Sequence, residues 1–206
     1  MAQSIASARA TLGDCEIIVV DSASLDGTQA VARAAGARVV VALGSRAVAM
    51  NTGAHLADGD ALLFLHADTT LPSGAGDAIR SALADADGGA FRLRYDDERP
   101  LLELLSEFRL RFLRPVYGDQ AIFSSRAVFE TLGGYKPLPI MEDYDLVRRI
   151  RRTARFTILS LSVETAARRH RRYGTIPTLA RIWAIQCLYH VGTPPRLLAR
   201  IYPPTR

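Results

Sequence analysis

"CEIIVVDSASLDGTQAVARAAGARVVVAL" (residues 15–43) decides the fold. Its first six residues form a short, apolar, β-branched run of the kind that makes a fully buried strand. "DSASLDGT" follows as loop chemistry, Thr28 to Ala35 predicts a helix closed by Gly36, and "RVVVAL" (38–43) predicts a second strand. Beyond it, Gly44 and Ser45 open a helix running to about Ala57, and Asp58-Gly59-Asp60 makes a turn. Residues 61–65 of "ALLFLHADTTLP" are a third strand. Strands alternating with short helices predict an α/β fold on a parallel sheet. Ligands of such sheets sit outside the carboxyl ends of the strands, where Asp21 ends one strand and His66 to Asp68 end another.

Further along, "GGAFRLRY" (88–95) predicts a strand, and residues 99–114 an amphipathic helix with Leu101, Leu105, Phe108 and Phe112 on one face. "DQAIFS" (119–124) predicts a strand, followed by a short helix ending at Gly133-Gly134. Glu142-Asp143 open another helix, where carboxylates suit the dipole, and "RFTILSLSV" (155–163) is the last strand. From Ile176 onward the chain predicts two short helices separated near Gly192 and Pro194-Pro195, with Ile176, Leu179, Ile182, Trp183, Ile185 and Leu188 as an apolar face. Domain organisation follows: residues 1–173 as one domain and 174–206 as a helical tail.

A chain of 206 residues is long enough to bury a substantial core, and its 49% hydrophobic composition excludes a disordered chain. Cys15 and Cys187 have no metal-ligand spacing and read as reduced core thiols of a cytoplasmic protein. The opening "MAQSIASARATLGD" lacks a basic region followed by an apolar stretch, so no signal peptide is expected, and no run reaches the roughly 18 apolar residues of a membrane span. Arginine supplies 25 of the 26 basic residues, and 13 of them lie after Val147 against a single acid, Glu164. That asymmetry points to an anionic partner: phosphate groups, an acidic membrane surface or nucleic acid.

Three ordered blocks carry a resemblance. "EIIVVDSASLDGT", "RAVAMNTGAHLADGDALLFLHADTTLP" and "GDQAIFSSRAVFETLGGYKPLPIMEDYDLVRRI" resemble the nucleotide, metal and acceptor blocks of family 2 glycosyltransferases over residues 15–173. The "LHADT" form looks most like the subgroup known as arsenosugar biosynthesis glycosyltransferases. The resemblance implies the GT-A fold, a Rossmann-like mixed sheet flanked by helices. It implies inverting hexosyl transfer from a UDP- or GDP-sugar to a hydroxyl acceptor, assisted by manganese or magnesium. The family's first strand, ending in a Pro-x-x-Asn-Glu-type loop, has no counterpart before Cys15, so an upstream start is expected.

Residue by residue, Asp68 matches the metal position, and His66 stands where the metal motif has its first Asp. Imidazole suits manganese better than magnesium; the plain alternative is a histidine hydrogen-bonded at a strand end. Asp21 resembles the acid that binds uracil or ribose, and Ser24, Asp26, Arg46, Asn51 and Ala67 complete the implied nucleotide-sugar contacts. Asp26 and Thr28 read equally well as turn and cap, and Arg46 as a solvent-facing arginine. Asp143 matches the general base, with Glu142 beside it; adjacent carboxylates raise one pKa, and helix capping by acids is the alternative. One of Arg168, Arg169, Arg171 or Arg172 is expected on the diphosphate. A homodimer contact and peripheral docking at the inner membrane face are the further partners the tail allows.

Rival classes fall on chemistry. "HADTT" lacks the nucleophilic first Asp of a haloacid-dehalogenase phosphatase. "DSASLDG" lacks the Gly-x-Gly-x-x-Gly of a dehydrogenase, and no nucleic-acid module or interleaved aromatic pattern accompanies the arginines. A transferase fold kept as a binding or assembly partner is the remaining alternative.

Overall fold

The computed structural model describes residues 1–97 and 115–202. The elements in order are α1 (Ala2–Leu12), β1 (Ile18–Asp21), α2 (Thr28–Ala34), β2 (Arg38–Val41), α3 (Arg46–Leu56), β3 (Ala61–Phe64), β4 (Thr69–Thr70), α4 (Ala75–Asp85) and β5 (Gly88–Tyr95). A 3-10 turn (Gly118–Gln120) leads into β6 (Ile122–Ser125), α5 (Arg126–Thr131), α6 (Glu142–Thr153) and β7 (Phe156–Thr165). α7 (Arg168–Tyr173) precedes the tail, which holds α8 (Thr175–His190) and α9 (Pro195–Ile201). The helix expected over 99–114 lies outside the described residues.

The strands form two ladders: β1 with β2, and a five-stranded sheet in the order β3-β6-β5-β7-β4. The fold is thus a mixed α/β sheet of GT-A type. The parallel sheet expected from strand–helix alternation is realised only at β1–β2 and β5–β7, because β6 and β4 enter antiparallel. A two-residue strand such as β4 has no periodicity to read, and its pairing of Thr69 with Thr165 and Thr70 with Glu164 defines it. Among the described residues β1 and β3 share no ladder.

Alternation along β3 supplies two cores, as its period of two requires. Leu62 and Phe64 pack with Ala47 and Ala54 of α3, Phe129 of α5 and Leu146 and Ile150 of α6. Leu63 and Leu65 pack with Ala8 of α1, Ala75 and Ile79 of α4, and Phe91, Phe123 and Val163 of the neighbouring strands. Gly89 is required where β5 passes its neighbours: a Cβ there would meet the Phe123 ring and, at 2.7 Å, the Thr157 carbonyl.

The tail packs beside the start of α6 through Met141, Ile185 and Leu198. Its expected apolar face divides: Ile185 is buried, Leu179, Ile182 and Leu188 are half-buried, and Ile176 and Trp183 are exposed. The expectation of two core thiols needs correction. Cys187 is exposed on α8 and Cys15 half-buried, because α8 turns Ile185 and Gln186 inward and so points Cys187 out.

Candidate active site

β3 ends the apolar run at Phe64, and the chain turns so that His66 and Asp68 stand at the sheet's edge. Backbone bonds fix them there: Thr69 donates to the His66 carbonyl at 3.1 Å and Ala166 to the Asp68 carbonyl at 3.2 Å. Ser4 Oγ of α1 adds a third, donating to the His66 carbonyl at 3.0 Å. Opposite stands the start of α6, entered through Met141 at φ 69°. Among the described residues, Met141, Ala23 and Ala121 are the non-glycine residues with positive φ, and each adjoins a stretch singled out in the sequence. Left-handed backbone at such residues costs on the order of 1–3 kcal/mol and tends to cluster where geometry serves a site.

Glu142 and Asp143 are each 3% exposed, and both are held by Arg46 from the first turn of α3. Arg46 Nε donates to Glu142 Oε1 at 2.6 Å, and Nη2 to Asp143 Oδ2 at 2.5 Å. The Gly118 amide also donates to Asp143 Oδ2, at 3.1 Å. The second oxygens, Asp143 Oδ1 and Glu142 Oε2, are buried without a hydrogen-bond partner. Burial raises the Asp143 pKa more than Arg46 and the Gly118 amide lower it. His66 Nε2 stands 3.4 Å from Arg46 Nη1, a contact that requires the Nδ1-protonated tautomer. Burial first, and Arg46 second, lower the His66 pKa, so the imidazole is held neutral at pH 7. Only glycine fits at 118: a Cβ would meet Asp143 Oδ2 at 2.5 Å and His66 Nε2 at 2.6 Å.

These groups line one cleft of about 350 Å³, a volume of ligand-site size. Its walls bring together Arg46, His66, Asp68 and Asp143 with Arg168 and Arg169 of α7. Arg168 Nη2 pairs with Asp68 Oδ2 at 2.7 Å, and the Arg169 guanidinium carbon lies 3.8 Å from the Tyr202 ring centroid. Arg171 is instead engaged by Asp96 at 2.8 Å, and Arg172 stacks on Tyr173 at 5.5 Å.

Other sequence-predicted residues lie elsewhere. Asp21, buried at the end of β1, accepts from the Ser24 amide and from Gln29 Nε2, each at 2.9 Å, and the Ser24 bonds lower its pKa. Asp26 Oδ1 accepts from Thr28 N at 3.2 Å and Oγ1 at 2.6 Å, a local turn ahead of α2, whose N-cap Gly27 has no side-chain cap bond. Asn51 spends both ends of its amide on the Tyr135 backbone, at 2.8 and 2.9 Å. Exposed Ala67 does not line the cleft. Arg46, expected on phosphate, holds carboxylates instead; its partners are almost a hundred positions away, beyond the reach of local spacing. Gly118, Asp119 and Tyr202 also line the cleft. Sequence reading missed them, although the Gly118-Asp119 pair that opens the 119–124 run was a usable turn signal.

Among the described residues no three His, Cys, Asp or Glu side chains converge to hold a metal unaided. Asp68 with a neutral imidazole nearby still fits a divalent cation of the kind that takes one or two carboxylates and completes its shell with substrate phosphates and water.

The glycosyl transferase family 2 model matches residues 1–112. No curated protein sequence matches the chain. Among solved structures, the mannosyltransferase PcManGT from Pyrobaculum calidifontis, in complex with GDP-Man and Mn2+, is 20% identical with a TM-score of 0.61. S. aureus TarS is 16% identical with a TM-score of 0.60. Glucosyl-3-phosphoglycerate synthase from Mycobacterium tuberculosis, in complex with Mn2+, UDP-glucose and phosphoglyceric acid, is 22% identical with a TM-score of 0.57. These alignments cover 85%, 80% and 78% of this chain, but only 52%, 56% and 65% of the respective relatives.

Proposed function

Because this chain belongs to glycosyl transferase family 2, we propose that it moves a sugar from a nucleoside-diphosphate donor to a hydroxyl acceptor, with inversion and with Asp143 as the base. The observation that carries this reading is the buried, unpartnered Asp143 Oδ1 in the cleft that also contains Asp68, His66, Arg168 and Arg169. A hydroxyl seated on Oδ1 gives up its proton there as its oxygen bonds to the anomeric carbon. The bond from that carbon to the diphosphate oxygen breaks, and the electron pair leaves on the diphosphate. Arg46 and the Gly118 amide fix Oδ2, so one oxygen is left to act. Glu142 shares the arginine and keeps its counterion in place.

Asp68 would hold a divalent cation, which would supply charge neutralisation to the departing diphosphate. Arg168 and Arg169 add cationic donors on the same side, and neutral His66 contributes a hydrogen-bonding group without adding charge. The likeness to the arsenosugar subgroup rests on "LHADT" and Arg46, and names no acceptor. The partition into a 1–173 domain and a 174–206 tail is supported by the tail's own helices, although the tail packs on α6 and walls the cleft.

Calorimetric titration with UDP and GDP, with and without Mn2+, tests the reading. Micromolar binding that requires the cation is expected; no binding of either nucleotide sinks it. A second reading, a transferase fold that binds donor without transferring, draws on the separate β1–β2 ladder, whose β1 edge has no further partner among the described residues. It predicts nucleotide binding with no product from any donor sugar.

A further inference from the structure

The inward needs of α8 are met by Thr178, Ile185 and Gln186, which are buried. Its other side is apolar as well. Ile176, Ala180, Trp183, Cys187 and Val191 are all exposed, at successive spacings of four, three, four and four residues. That is one apolar side chain per turn along a single face of the helix. Ile176 is 73% exposed, Trp183 40% and Val191, just past the helix end, 78%. Singly exposed hydrophobics are ordinary, but a continuous stripe marks a contact surface. The short helix α9 adds Leu197 and Ile201, 47% and 41% exposed, each following an exposed arginine, Arg196 and Arg200.

Charge selects the partner. Helices α8 and α9 carry Arg181, Arg196 and Arg200 and no acid, and Arg196 and Arg200 are exposed. An apolar stripe accompanied by cations of one kind suits a surface that is apolar below and anionic above, as a lipid headgroup boundary is. At 16 residues α8 is only about 24 Å long, and no described helix is long and apolar enough to cross a membrane. We propose that the outward face of α8, helped by α9, docks this protein on an anionic bilayer surface with α8 lying in the plane of the interface. The site would then work beside the membrane, since Ile182 and Ile185 on the same helix line the catalytic cleft.

Trp183 is the sole tryptophan of the chain, so intrinsic fluorescence reports on this face alone. The full chain is titrated with vesicles of phosphatidylglycerol and phosphatidylcholine, and separately with phosphatidylcholine alone. A blue shift, quenching by brominated lipid and co-flotation are expected with the anionic vesicles, falling as salt rises. Ile176→Asp with Val191→Asp should cut the partition coefficient roughly a hundredfold, and Arg196→Glu with Arg200→Glu roughly tenfold or more. Both variants alter exposed side chains, and unchanged circular dichroism and nucleotide binding will show that they fold. Three results each overturn the proposal: no shift with either vesicle, equal binding to neutral and anionic vesicles, or a blue shift that depends on protein concentration and not on lipid. The last would assign the stripe to a second copy of the chain.

Discussion

The two oxygens of Asp143 have unequal surroundings: Oδ2 accepts from Arg46 and Gly118, while Oδ1 is buried and free. Asp143→Asn removes the proposed base and keeps the size of the side chain. It should lower transfer by about 10²- to 10⁴-fold while leaving the calorimetric affinity for nucleotide within a few-fold; retained transfer would move the base elsewhere. The raised pKa fixes the sign of the pH dependence. The base works ionised, so the rate should fall as pH drops through a value above the ordinary carboxylate range. A pH–rate profile whose acid limb disappears in the Asn variant is the expected result. That Asp68, His66 and Asp143 stand at the end or start of elements was legible in the sequence, while their proposed roles come from the family resemblance. The role of Arg46 was not legible, since a salt bridge spanning 97 positions leaves no local pattern.

Elements lend these residues their precision. α3 is tied to the loop before α6 by the paired amide bonds of Asn51 with Tyr135. Asn51→Ala breaks both and should cost about 1–3 kcal/mol in chemical denaturation, with nucleotide affinity little changed once folded. An affinity loss much larger than the stability loss would return Asn51 to a direct role. Gly118→Ala would press a methyl group against Asp143 and His66, so the rate should fall together with a shift of the pH profile. Strands were readable wherever β-branched runs occur, as at residues 18–21 and 156–165, and Ser45 announced α3 as its cap. Strand direction was not readable. Antiparallel entry of β6 and β4 depends on what each strand packs against, not on its own composition.

At the scale of the molecule, the tail is both a wall of the cleft and an outer surface. Leu198 is fully buried against Met141 and Ile185. Leu198→Ala should cost about 2–5 kcal/mol and also weaken nucleotide binding, because Tyr202 and Ile185 shape the cleft. Denaturant titration and calorimetry on the same preparation check both. The excess of arginine in this half was plain in the sequence. Its division was not: Arg168 and Arg169 turn to the cleft, while Arg196 and Arg200 face outward.

The Arg168–Asp68 pair has a consequence for the order of events. Asp68 already has an internal counterion, so a free divalent ion must compete with a guanidinium for it. A cation arriving on a diphosphate offers Arg168 a new anion in exchange. On the proposed function, charge would then be swapped rather than stripped, and donor and cation would enter as a single species. Arg168→Ala should therefore tighten Mn2+ alone yet loosen the Mn2+–nucleotide pair, an inversion of preference that two titrations would reveal.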